Sequence, residues 1–261
     1  MIQSKKFLKM TNKTKVLYSI LGVLSVLILW SGVVMFKLVN PILLPSPKRV
    51  IQELMSLVRT NEFWLDFGNT IMTWFLGLVI GILFGVVVGV LLALNEKIWF
   101  IFEPIIEFFR TLPSIILVPL ISLFMGVGLD SKVLSVSVVV AVTIISTVGI
   151  AIRSINTNYK KLKSAWKLTT YETIKNIYLP EISSHLLIAI KASIPLALIV
   201  AIAADMLIAT DNGLGKIITD SMAVFNATRM YAAILIVGVL GYLAAKLSEL
   251  VENKFIHWKG K

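Results

Sequence analysis

The chain has no cysteine, and only two of its 261 residues are histidine. The first absence excludes disulfides, thiolate metal sites and cysteine nucleophiles. His185 and His257 have no carboxylate or serine partner at a useful spacing, which argues against histidine-based catalysis. Charge is scarce too: Asp, Glu, Lys and Arg make up 15% of the residues, against about 25% in ordinary soluble domains. Asp211-Asn-Gly-Leu-Gly-Lys216 has the look of a phosphate loop, but Thr210 and Ile217 stand where that motif needs glycine and a hydroxyl residue. No metal, cofactor or nucleotide site is expected in the chain itself.

What it does have is apolar sequence. Apolar residues reach 57% and mean hydropathy is +0.90, and the charges cluster between long apolar runs. A membrane-spanning helix needs about 20 mostly apolar residues, so this pattern predicts an all-α polytopic membrane protein. Six transmembrane helices are expected, over about 16–39, 70–94, 112–127, 133–152, 186–208 and 230–246. The third contains Pro113 and Pro119 and should be kinked or broken. Residues 1–15 form a basic cytoplasmic N-terminus, and 16–261 a single transmembrane domain. The first apolar run is too long for a signal peptide and lacks a small-residue cleavage site, so it reads as an uncleaved span.

The net charge of +11 invites a nucleic-acid reading, but the cations sit in a few loops and at the two ends. With the N-terminus inside, seventeen of the 25 Lys and Arg residues fall on the cytoplasmic side and seven, Lys132 among them, outside. That asymmetry reports topology, with both ends cytoplasmic, and no nucleic-acid partner is expected. Outside, Ser46-Pro47 reads as the start of a short surface helix, followed by Val50, Ile51, Leu54, Met55, Leu57 and Val58 at helical spacing.

Three features carry the functional expectation. Gly77, Gly81, Gly85 and Gly89 are spaced by four and share one helix face, a pattern for close helix packing. Asp205 is an acid near the outer end of a span; it predicts either a helix-end hydrogen-bonding role or a gate or substrate path, with Met206 beside it. Residues 153–182 are the longest polar interior stretch, with Tyr159, Leu162, Ala165, Trp166 and Thr169 on one helix side and lysines between them. A basic amphipathic segment between two spans is either an anchor on membrane lipids or a handle for a cytosolic partner.

The order of several short motifs resembles the permease subunits of binding-protein-dependent ABC importers, particularly the nitrate/sulfonate/taurine/thiamine-precursor branch. These are Leu44-Pro-Ser-Pro47, Phe108-Phe-Arg-Thr-Leu-Pro113, Gly126-Val-Gly128, Ala204-Asp-Met-Leu207 with Gly213-Leu-Gly215, and Tyr231-Ala-Ala-Ile-Leu235. The resemblance covers about Leu44 to Trp258. It implies a type I importer permease fold and a subunit that is no enzyme itself. It also implies pairing with a second permease chain, identical in this branch, two cytosolic ATPase subunits and an extracytoplasmic solute-binding protein. The 153–182 loop then corresponds to the family's coupling segment, ending in Leu179-Pro180. The expected coupling residues are Ala165, Thr169, Thr170, Tyr171, Glu172, Ile174, Tyr178, Leu179 and Pro180. Lys161, Leu162, Lys163 and Lys167 stand where the family pattern has Glu-Ala-Ala and glycine. A secondary transporter would instead predict inverted repeats and ionisable groups at mid-membrane.

Overall fold

The computed structural model describes residues 12–154, 169–208 and 212–255, and among these every regular element is helical. Helix α1 spans Asn12–Met35 and stands nearly clear of the rest, with none of its spanning window buried. It is tied back at its outer end, where Trp30 Nε1 donates to the Pro45 carbonyl at 3.0 Å and the indole lies 5.9 Å from the Tyr231 ring. Helix α2, Pro47–Leu57, begins where the sequence places it, with proline in its first turn and Ser46 in extended conformation before it. Val50 and Leu57 are its buried face.

Helix α3 runs Asn61–Ala93, nine residues earlier than expected. Thr60 explains the early start: its side chain accepts from the Phe63 amide at 3.3 Å and caps the helix before the apolar run begins. Helix α4, Glu96–Thr111, and helix α5, Ser114–Met125, are bent from one another by 104° at Leu112-Pro113. The expected third span is thus the second arm of a broken pair. Proline at 113 removes an amide and pushes Leu112 into extended geometry, ending α4 there.

Helix α6 covers Leu129–Ser154. Beyond residues 155–168 come one helical turn, α7 (Thr170–Thr173), a five-residue π segment (Ile174–Tyr178) and α8 (Leu179–Leu207), without a break between them. The π register follows from Pro180, which has no amide to give to the turn before it; the ladder widens and Leu179 N reaches back to the Ile174 carbonyl. Helix α9, Leu214–Ala223, and helix α10, Ala227–Phe255, complete the chain. The last helix continues nine residues past the expected end of its span, since nothing in its polar tail breaks a helix.

Among the described residues, five helices are long and apolar enough to cross a membrane, and the bent pair makes a sixth span if counted as one. The core lies between α3, α6 and α8, the three spanning helices with the largest buried shares. Many large apolar side chains on the outer faces are exposed, as a lipid-facing surface requires.

Candidate functional site

Helices α3 and α6 are in contact along most of their length, and the glycine row is the reason. A methyl group at Gly81 would lie 2.7 Å from both the Ser137 carbonyl and Val140 Cβ; at Gly85, 2.7 Å from Ile144 Cβ; at Gly89, 3.1 Å from Val148 Cβ. Gly77 meets Val136 more closely still. Glycines spaced by four therefore face β-branched residues spaced by four, and both rows ascend in the same direction. The two helices run parallel with their backbones pressed together, as the small-residue pattern predicts.

At the outer end of this seam lies a buried polar cluster. Asp205 sits on the last turns of α8 at 2% exposure, and Lys132, in the first turn of α6, has none. Lys132 Nζ donates to Asp205 Oδ1 at 2.7 Å, to the Asn212 carbonyl at 2.8 Å and to Asn69 Oδ1 at 3.4 Å. All three ammonium protons are therefore used. The other carboxylate oxygen accepts from Thr70 Oγ1 at 2.5 Å, and that hydroxyl accepts from the Leu214 amide at 2.9 Å. Asp66 takes the Gly213 amide at 2.7 Å. Gly213 has φ +147°, and a methyl group there would collide with the Asp205 carboxylate. Glycine is required twice over at that position. Met206, partly exposed, packs beside Gly215 at the rim of the cluster.

Lys132 was expected in an outer loop, counted with the topogenic charges. It is instead the counter-ion of Asp205. A buried carboxylate without a cation would be severely destabilising, so the two burials depend on each other. The one signal in the sequence was a cation directly preceding an apolar run whose span opposes another ending in an acid. Asn69, Thr70 and Asn212 carried none. Sharing Asp66 and Asn212 with the cluster, an open cleft of about 530 Å³ on the outer face is also lined by Glu62, Lys216, Asp220 and Arg229.

At the inner end, Thr169 and Glu172 form a reciprocal cap. The Glu172 carboxylate accepts from the Thr169 amide and hydroxyl, each at 2.8 Å, and Thr169 Oγ1 accepts from the Glu172 amide at 3.3 Å. The Thr169 amide, then its hydroxyl, hold the Glu172 carboxyl below its ordinary value of 4.5. Tyr171 is 70% exposed, whereas Ile174 and Tyr178 are half-buried and pack against the core cluster. Leu179 and Pro180 are exposed, Thr170 contributes backbone to α7, and Ala165 lies outside the described residues. Nearby, Arg153 anchors α4 to the inner end of α6 through Glu103 at 3.1 Å, with its guanidinium 4.6 Å over the Phe100 ring.

Long apolar helices around a broken pair, with a polar cluster closing one end of the core and a capped helical segment at the other, define a polytopic membrane protein. The chain belongs to the family described as the binding-protein-dependent transport system inner membrane component, whose sequence model matches residues 81–257. It is 22% identical over 247 residues to the taurine transport system permease protein TauC of Escherichia coli (strain K12), covering 92% of this chain and 90% of that one. It is 25% identical over 222 residues to the formylaminopyrimidine transport permease protein ThiX of Halalkalibacterium halodurans, covering 85% and 88%. Among solved structures, the inward-facing MetNI methionine ABC transporter matches with a TM-score of 0.62 at 23% identity, over 73% of this chain and 96% of that chain. A bacterial alginate ABC transporter in complex with alginate pentasaccharide-bound periplasmic protein matches at 0.65 and 13% identity, over 92% and 96%. The fold is that of type I ABC importer permeases, and the chain is a permease subunit of a binding-protein-dependent importer.

Proposed function

We propose that two copies of this chain pair in the cell membrane with both ends cytoplasmic, and that two separate cytosolic ATPase subunits drive them. The observation that carries this reading is the unbroken helix from Thr170 to Leu207. Its exposed, capped inner end is a handle, and Asp205 lies near its outer end. From Leu179 to Asp205 is about 39 Å of helix at roughly 1.5 Å per residue. A push on the Thr169–Pro180 segment reaches the Lys132–Asp205 pair through one rigid element, and the pair acts as a latch on the outer side of the path. The π segment at 174–178 is the place where the handle can pivot without breaking the helix.

A solute-binding protein would deliver its cargo to the outer face, where the polar cleft beside the latch offers both signs of charge. The alginate transporter bound to its periplasmic protein supports such docking. Relatives named for taurine and formylaminopyrimidine transport point to a small polar organic solute.

The test is co-expression with the neighbouring genes, followed by purification and reconstitution in proteoliposomes. The reading expects the ATPase to co-purify and solute uptake to require ATP. Permease that binds no ATPase and takes up solute without ATP would be a secondary transporter, and the importer reading would fall.

A further inference from the structure

A charge set among spanning helices needs a reason, because its desolvation is costly unless it is paired or used. Arg110 is such a charge. It lies in the last turn of α4, beside the 104° bend into α5. Its Nη1 donates to Ser146 Oγ of α6 at 3.1 Å. Ser146 precedes the inner end of α6 at Ser154 by about 12 Å of helix. Arg110 therefore sits well above Arg153, which marks the inner edge.

Nη1 also donates to Glu107 at 2.9 Å. Both bonds use one nitrogen, and among the described residues Nη2 and Nε donate to nothing. Half of the side chain is exposed, at 50%. Beside it opens a cavity of about 190 Å³ whose polar lining is Arg110, Ser114 and Thr143, walled by Phe109, Leu117 and Leu196. Among the described residues no carboxylate lines it. Glu107 and Ser146 fix the guanidinium at the wall while its remaining N–H groups stay available, and the fork of those donors matches two oxygens of one oxyanion.

We propose that this cavity is an anion subsite on the transport path, where Arg110 receives the sulfonate or carboxylate head group of a small organic solute and Ser114 offers a hydroxyl beside it. The assignment of a path rests on the importer reading above. Glu107 keeps the site close to neutral overall, so the anion is held weakly enough to leave again, which transport requires.

The absence of native cysteine provides the test. In the purified full-length permease in nanodiscs, Ser114→Cys places a single thiol at the cavity. Its reaction rates with 2-sulfonatoethyl methanethiosulfonate and with the trimethylammonioethyl analogue are each normalised to a free thiol. The subsite expects the anionic reagent to be favoured by about tenfold, within the range that local charge focusing gives. Arg110→Gln should abolish that preference, Arg110→Lys should keep part of it, and excess ethanesulfonate should slow the anionic reagent in the Arg110 protein alone. A preference untouched by Arg110→Gln, or a thiol that neither reagent reaches, overturns the subsite. The readout needs no ATP and no partner, so a failed importer reading would show in the uptake assay and a failed subsite here.

Discussion

Lys132 Nζ lies 2.7 Å from Asp205 Oδ1, with the two side chains at 1% and 0% exposure. Removing either charge strands the other in an apolar interior, at a cost of about 3–5 kcal/mol. Lys132→Met and Asp205→Asn should therefore each lower the thermal midpoint of the detergent-purified protein sharply. The double variant should lose much less than the sum of the two, because neither charge is left alone. Additive losses in this double-mutant cycle would show that the pair is not energetically coupled. If the pair is also a latch, proteoliposomes holding the double variant together with its ATPase subunits should hydrolyse ATP faster without binding protein than those holding the parent.

Close packing of α3 on α6 leaves no room for a side chain. Gly81→Ala should cost about 1–3 kcal/mol through overpacking, since its methyl would press on the Ser137 carbonyl and Val140. Gly22→Ala, with open space at its Cβ, is the control and should leave the midpoint unchanged. Equal midpoints for the two variants, measured by thermal unfolding in one detergent, would contradict the seam.

Exposure divides the coupling candidates. Tyr171 projects outward, while Ile174 and Tyr178 turn partly toward the core. Tyr171→Asp alone should reduce ATPase co-purification at least several-fold with an unchanged thermal midpoint. Ile174→Asp should lower that midpoint as well, because a charge would meet the apolar cluster. Full ATPase retention in Tyr171→Asp would move the contact to another part of the segment.

The Thr169–Glu172 cap has a pH dependence of known sign. Hydrogen bonds from Thr169 hold the folded carboxyl below 4.5, so the cap's contribution is complete above the unfolded value. It is lost as pH falls through the folded one. Amide exchange of a peptide covering Thr169–Tyr178 should quicken relative to intrinsic rates once the pH passes below 4.5. Glu172→Gln, which cannot ionise, should flatten that dependence. A parent profile as flat as the variant's would mean that the cap does not form in solution.

What the chain determines alone is whatever depends on local pattern. Long apolar runs require spanning helices because backbone groups in lipid must bond within their own segment. The glycine row predicts a tight helix contact because spacing by four is a property of one helix. Leu179-Pro180 and the Ser46-Pro47 start likewise act within a turn or two. Tertiary structure decided what those local features meet. Gly81 lies on Val140, across the intervening bent pair α4 and α5, and no spacing rule in the sequence connects them. Lys132 carried the signature of an outer-loop charge, and only the approach of α6 to α8 made it a buried counter-ion. Nothing in the sequence pairs Arg110 with Ser146; the 104° bend beside Arg110 and the approach of α6 do. Charge meaning is non-local: the same ammonium is a topology signal in water and a counter-ion in a low-dielectric core, and only packing fixes which environment it occupies.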